Sequence, residues 1–237
     1  PKWTFMNFGF VPPDGDAPSL EPRDEPDRLS IQLYHRVASA IDLRGRRVLE
    51  IGSGRGGGAA FLARYHGPAH VTGADFSAHA VALSRAFHTG VPNLDFAEGD
   101  AERLPFPDAS FDAVINVESS HCYGSIDRFL HEVSRVLRPG GCFLFADFRA
   151  AADVAGLIRT LDAQPGWHVE FDGGACAADG LREFGEHVLD AGPQRRIGGH
   201  GVGHARLQSR KREQLFGERG HAIAARDHAG QRALPLG

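Results

Sequence analysis

The chain has 237 residues, 42% hydrophobic and 24% charged, with a formal net charge of −4 and three cysteines. This fits one large globular domain, or a domain with an appendage, and excludes a fibre or a wholly disordered chain. The slightly acidic balance provides no uniform basic field, so no nucleic-acid partner is expected. No apolar run approaches the roughly 20 residues of a membrane span, and "PKWTFMNFGF" lacks the charged and apolar regions of a signal peptide. Cys122, Cys142 and Cys176 form an odd set without framework spacing, which suits a reducing compartment, and a cytoplasmic location is expected.

In chain order, residues 1–25 are rich in Pro, Asp and aromatics and read as an irregular arm or lid. The stretch "DEPDRLSIQLYHRVASAIDL" then spaces Leu29, Leu33, Val37 and Ile41 four apart behind Asp24 as a candidate N-cap and an early Pro26, which predicts an amphipathic helix. From Arg47 to Phe148 short apolar runs ("RVLEI", "HVTGAD", "LDFAEGD", "FDAVINV", "CFLFADF") alternate with helical stretches ("AAFLARY", "AHAVALSRAF", "RFLHEVSRVL"). Such alternation predicts βαβ units, and so an α/β fold whose doubly wound, mostly parallel sheet is covered on both faces and binds ligands beyond the carboxyl ends of its strands. A further helix ("AADVAGLIRTLDA") and a strand over Trp167 to Phe171 follow, so residues 26–172 form the main domain.

Beyond Asp172 the periodicity disappears. Residues 173–237 are dense in Gly, Ala, Arg and His, and read either as a flexible basic extension or as GC-rich coding sequence read out of frame. His200 and His204 have the spacing of helical metal ligands, but "GGHGVGH" is too glycine-rich to hold a helix. No metal site is expected, and "RLQSRKR" reads as a solvated run.

Five of the seven residues from Gly52 to Gly58 are glycine, directly after a buried strand and before a helix. Such a turn lets backbone approach a ligand, with the free N–H groups of the helix N-terminus facing it. Gly52, Gly54 and Gly57 satisfy GxGxxG, and Asp75 lies at about the 20-residue separation of a ribose-binding acid, so a nicotinamide oxidoreductase is one reading. Glu50, however, occupies a strand position where that fingerprint normally has an apolar residue.

Taken in order, "VLEIGSGRG", "GADFS", "GDAERLPFPDASFDAVI" and "VLRPGGCFLFADF" resemble the class I S-adenosylmethionine-dependent methyltransferases over about 120 residues. Within that superfamily, "DEPDRLSIQLYHR", "GRGGG" and "NVESSHCY" look like the phthiotriol and phenolphthiotriol dimycocerosate methyltransferases and related natural-product enzymes, which methylate hydroxyl groups. The resemblance implies a Rossmann-like fold, S-adenosylmethionine as methyl donor, S-adenosylhomocysteine as product and a hydrophobic small-molecule acceptor, a natural product or lipid. Gly52, Ser53, Gly54 and Gly56 would line the methionyl end of the donor. Glu50 would act at its amino group or on the glycine loop, or else pair with a neighbouring basic residue; a carboxylate in a buried strand is costly without such a role. Asp75 would take both ribose hydroxyls, and Phe76 would lie against the adenine or simply pack in the core. Asp100 would accept from the adenine amino group while the Ala101 N–H meets a ring nitrogen, unless Asp100 is only a loop or cap residue. Asn116 would close the pocket near the sulfonium. The resemblance also implies a substrate-covering helical region after Asp172 and an antiparallel seventh strand, for which the tail offers no convincing segment.

The sulfonium already activates the methyl group, so the protein must align the acceptor and remove its proton. His121 follows the fourth strand and Asp147 ends the fifth, at the same edge. The two would form a dyad in which the carboxylate orients the imidazole, and the alternative is a pocket-wall histidine. Glu118 ranks as a second acid or base. Phe5, Phe8 and Phe10 would fold over the site or merely staple the arm down, and Tyr34 or His35 would reach it from the first helix. The expected activity is therefore methyl transfer to a hydroxyl; a cofactor-binding protein without transferase activity is an alternative, as is transfer to carbon or nitrogen. Oligomeric state is not legible.

Overall fold

The computed structural model describes residues 3–12, 17–171, 177–178, 181–183 and 187–190. After an arm and a single 3-10 turn, helix α1 (Arg28–Ala38) leads into strand β1 (Arg47–Ile51), α2 (Gly57–Tyr65), β2 (His70–Asp75), α3 (Ala78–Phe87), β3 (Leu94–Glu98) and β4 (Phe111–Val117). Then come α4 (Ile126–Val136), β5 (Leu137–Ala146), β6 (Phe148–Ala150), α5 (Ala151–Asp162), β7 (His168–Phe171), β8 (Ala177–Ala178), β9 (Leu181–Glu183) and β10 (His187–Asp190). The main sheet has the order β3-β2-β1-β4-β5-β10-β7, and β6-β9-β8 form a second, small sheet. Strands β1 to β5 pair in parallel, as expected from the alternation of apolar and helical segments.

Strand periodicity explains the layers. Val48 belongs to the core under α1 and α2 with Ile31, Val37 and Phe61, whereas Leu49 and Ile51 join Phe129, Val133 and Phe143 on the opposite face. By the same alternation Glu50 shares the Val48 face, so its carboxylate is carried into the core beneath two helices. Ser77 and Ser125 cap α3 and α4, accepting from Ala80 N at 3.2 Å and Arg128 N at 3.3 Å.

Three expectations change. The first helix buries Ile31, Leu33, Tyr34, Val37 and Ala38, while Leu29 is exposed and Ile41 lies beyond its end; Leu33 and Val37 of the expected stripe face the core, but its two ends do not, and Ile31, Tyr34 and Ala38 complete the buried face. Asp24 makes no side-chain cap. Its carboxylate instead accepts two bonds from Arg64, at 2.6 and 2.8 Å, and one from Tyr65 Oη at 2.5 Å, tying the arm to α2. An antiparallel seventh strand does exist: in β10, Val188 pairs with Leu144 of β5 and Glu170 of β7. Four residues, "HVLD", are too short to show a period, and only their two neighbours define them as a strand. The His200/His204 pair, the basic run and Cys176 lie outside the described residues.

Candidate active site

The carboxyl edge of the sheet collects the candidate residues. At the exit of β1, Gly52 N and Ser53 N both donate to Ala74 O of β2, at 2.8 and 3.0 Å. Gly54 N donates to Asp75 Oδ2 at 2.7 Å, and Ser77 N to Asp75 Oδ1 at 2.9 Å. Each oxygen of Asp75 keeps a lone pair for a further donor. Gly99 N donates to Asp75 O at 2.9 Å, which brings Asp100 alongside. Asp100 Oδ1 accepts from Glu102 N at 2.9 Å, in a turn that leaves Asp100 exposed and the neighbouring Ala101 buried. Phe76 is 77% exposed, which overturns the core-packing alternative: an apolar ring stands free at the end of β2. Gly56 takes the left-handed N-cap position of α2 at φ 80°, where a side chain would be strained.

Inside this rim three buried polar atoms, Glu50 Oε2, Ser53 Oγ and Asn116 Oδ1, have no hydrogen-bond partner. Tyr34 Oη donates to Glu50 Oε1 at 2.6 Å, so Glu50 is held by a phenol from α1, not by the basic neighbour the sequence left open. Burial pushes the Glu50 carboxyl up to about 8; the Asp75 charge adds to this, and the bonds from Tyr34 and the Ala59 N–H only partly oppose it. Asn116 Nδ2 donates to Ile51 O at 2.9 Å and to Ser119 Oγ at 2.8 Å, fixing the exit of β4 against that of β1. A carboxyl group and two acceptor oxygens left unanswered beside a glycine turn fit a ligand that presents an ammonium and hydroxyl donors, as the methionyl and ribose parts of S-adenosylmethionine do.

At the next two strand exits, His121 Nδ1 lies 2.7 Å from Asp147 Oδ1. Asp147 is wholly buried, His121 partly open. The carboxylate also accepts from Ser120 Oγ at 2.5 Å, from His121 N at 3.0 Å and from Phe148 N at 2.8 Å, and pairs with Arg149 Nη1 at 2.8 Å. The Phe148 ring covers the imidazole, centroids 4.1 Å apart. The sequence reading missed Ser120 and Arg149, although the acid-aromatic-base run "ADFRA" at a strand end was a usable signal.

The arm crosses this edge. Thr4 O accepts from Gly57 N at 3.3 Å, Trp3 lies 4.7 Å under the Arg55 guanidinium, and Phe8 N donates to Glu118 Oε2 at 2.9 Å. Phe5 is buried edge-on against Tyr34, whereas Phe8 is 80% exposed and meets Phe148 at 5.4 Å. The two readings of the arm thus divide by residue, Phe5 stapling and Phe8 standing at the mouth. Among the described residues no group of three or more His, Cys, Asp or Glu side chains is placed to hold a metal, and no helix is long and apolar enough to cross a membrane.

Residues 49–145, from within β1 to just short of the end of β5, match the methyltransferase domain family. A phthiotriol/phenolphthiotriol dimycocerosates methyltransferase of Mycobacterium tuberculosis is 49% identical over 162 residues, 68% of this chain and 59% of that protein. A fatty-acid O-methyltransferase of Mycolicibacterium smegmatis is 49% identical over 163 residues, 68% of this chain and 58% of that protein. Among solved structures, the [4+2]-cyclase SpnF superposes with a TM-score of 0.54 at 28% identity, covering 60% of this chain and 59% of that one. The chain spans 58% to 66% of the length of the curated relatives it matches. With the family match covering the glycine turn, Asp75, Asp100, Asn116 and His121, and a relative at 49% identity beside it, the chain belongs to the class I S-adenosylmethionine-dependent methyltransferase family.

Proposed function

We propose that this protein transfers a methyl group from S-adenosylmethionine to a hydroxyl of a hydrophobic small molecule, with His121 as general base and Asp147 behind it. The observation that carries this reading is the 2.7 Å contact between His121 Nδ1 and Asp147 Oδ1 at the edge where the glycine turn opens. A carboxylate on Nδ1 leaves Nε2 as the ring nitrogen for the acceptor proton. The donor supplies an electrophilic methyl group on a sulfonium. With that donor bound, the acceptor oxygen would form the new C–O bond as the C–S electron pair goes to sulfur, and His121 Nε2 would take the hydroxyl proton. The exposed rings of Phe8 and Phe76 suit an apolar acceptor and the adenine, respectively. Both relatives described above are named methyltransferases, the second for fatty-acid O-methylation, in line with a hydroxyl-bearing or acidic lipid.

In His121→Ala, methyl transfer to hydroxylated lipids is expected to fall at least about a hundredfold while affinity for S-adenosylhomocysteine is kept. Near-normal turnover in that variant would refute the base assignment and favour transfer to carbon or nitrogen. The likeness to SpnF, a named cyclase, supports a second reading: a cofactor-binding protein without transferase activity, which would bind S-adenosylhomocysteine yet turn over no acceptor. Stabilisation by NAD in place of S-adenosylhomocysteine would revive the oxidoreductase reading of the glycine turn.

A further inference from the structure

We infer that Arg149 and Ser120 form a positioning clamp that fixes the Asp147 carboxylate and, through it, the tautomer of His121. The inference rests on the reading of His121 as base. It starts from burial: the Asp147 side chain has no exposed surface, and a carboxylate so placed needs a counter-charge and a full set of donors. Arg149, itself only 14% exposed, supplies the charge at 2.8 Å from Oδ2. Its Nη2 donates to Ser120 Oγ at 2.6 Å and its Nη1 to Phe148 O at 2.8 Å.

Because the guanidinium can only donate, Ser120 Oγ must accept from it, and the serine proton is directed at Asp147 Oδ2, 2.5 Å away. Oδ2 is then occupied by Arg149, Ser120 and the His121 backbone N–H. Oδ1 is left facing His121 Nδ1 and the Phe148 N–H. An ionised carboxylate oxygen can only accept, so Nδ1 carries a proton, and in the neutral ring Nε2 keeps its lone pair. Rotation that turned the Asp147 carboxylate off the ring would lose this selection, since Nδ1 would then have no oxygen to donate to. Arg149 and Ser120 do not touch the reacting atoms; they act through Asp147.

The test is nuclear magnetic resonance of the full chain labelled with ¹⁵N-histidine, bound to S-adenosylhomocysteine, with kinetics alongside. Wild type is expected to show His121 with Nδ1 protonated and Nε2 bare. Arg149→Met is expected to mix the two tautomers and lower kcat about tenfold with KM for the acceptor changed less than about twofold, and Arg149→Lys to restore part of both. Ser120→Ala, which leaves the ion pair in place, is expected to shift the tautomer balance in the same direction by less, and it serves if Arg149→Met does not fold. A wild-type tautomer pattern in folded Arg149→Met, or in Ser120→Ala, overturns the clamp. Retained turnover in His121→Ala would instead sink the base assignment while leaving the tautomer result standing, so the two failures are distinguishable.

Discussion

Replacing Glu50 by Gln is expected to make the protein more stable at neutral pH and a poorer binder of its cofactor. In the unfolded chain this carboxyl ionises near its ordinary 4.5, and in the folded protein burial moves it to about 8. Between those values the folded state retains a proton that the unfolded chain has released. The associated stability is fully present below pH 4.5 and is lost as pH rises through 8. At pH 7 the loss amounts to about 3 kcal/mol at 1.36 kcal/mol per unit. Glutamine keeps the shape and can still accept from Tyr34, but it has nothing to ionise. Its unanswered amide N–H groups cost about 1 kcal/mol. The net gain is about 2 kcal/mol, or roughly 4–8 °C in Tm for a chain of this size. Melting curves of both proteins at pH 5, 6, 7 and 8 should diverge with rising pH and nearly coincide at pH 5. Calorimetry should show weaker binding of S-adenosylhomocysteine by about 10- to 100-fold, since an ammonium would lose a buried carboxylate partner. A variant destabilised equally at every pH would refute the argument, because it would mean that Glu50 is already ionised and satisfied in the empty fold.

Phe76→Ala should leave Tm within about 1 °C, because the ring is already in solvent, while weakening S-adenosylhomocysteine about tenfold by calorimetry through lost stacking on the adenine; an unchanged Kd would remove Phe76 from the site. Asp24→Asn should destabilise by about 2 kcal/mol near pH 7, since it breaks a half-buried bidentate pair with Arg64. Burial opposes ionisation of Asp24, but the hydrogen bonds from Arg64 and Tyr65 outweigh it and hold the carboxyl below its ordinary 3.8. The wild-type advantage is therefore present above 3.8 and disappears as pH falls through the lower folded value, which melts from pH 7 down to pH 3 would trace.

The parallel core was legible because strands buried on both faces are short apolar runs: "RVLEI", "HVTGAD" and "FDAVINV" coincide with β1, β2 and β4 residue for residue. Strand β10 was not, since its four residues are a strand only by virtue of Phe143 and Leu144 on one side and Val169 and Glu170 on the other, contacts more than 15 residues away along the chain. Site residues divide in the same way. Asp75 ends β2, Asp147 follows β5 directly and His121 lies in the 3-10 turn Ser120–Cys122 just after β4, positions that periodicity locates. Tyr34 could be noticed as a reaching residue, but its partner Glu50 is determined by how α1 packs against α2, β4 and β5, which no local pattern encodes. Ser120 escaped because a serine beside a histidine has no signal of its own until the buried arginine that orients it is in view.

The glycine turn shows why a motif locates a site more readily than it explains one. Its bare backbone suggested close approach by a ligand, yet much of the cleared space is occupied by the protein itself. A methyl group at Gly58 would strike the Tyr34 ring, and one at Gly54 would come within 2.7 Å of Met6. The missing side chains thus let α1 bring its phenol to Glu50 and let the arm lie over the loop, as well as leaving main-chain donors for a ligand. The arm continues from Met6 to Phe8, whose N–H is held by Glu118, a non-glycine residue at φ 46° that bonds Ala146 O through its own N–H at 2.7 Å. Such a backbone costs of order 1–3 kcal/mol and persists only where its surroundings over-determine it. Here the strained residue carries the arm on one side and β5 on the other, three residues before His121. The cradle at β1 and the dyad at β4 and β5 are therefore held by one strap, and a change that loosens the arm should disturb both donor binding and proton transfer.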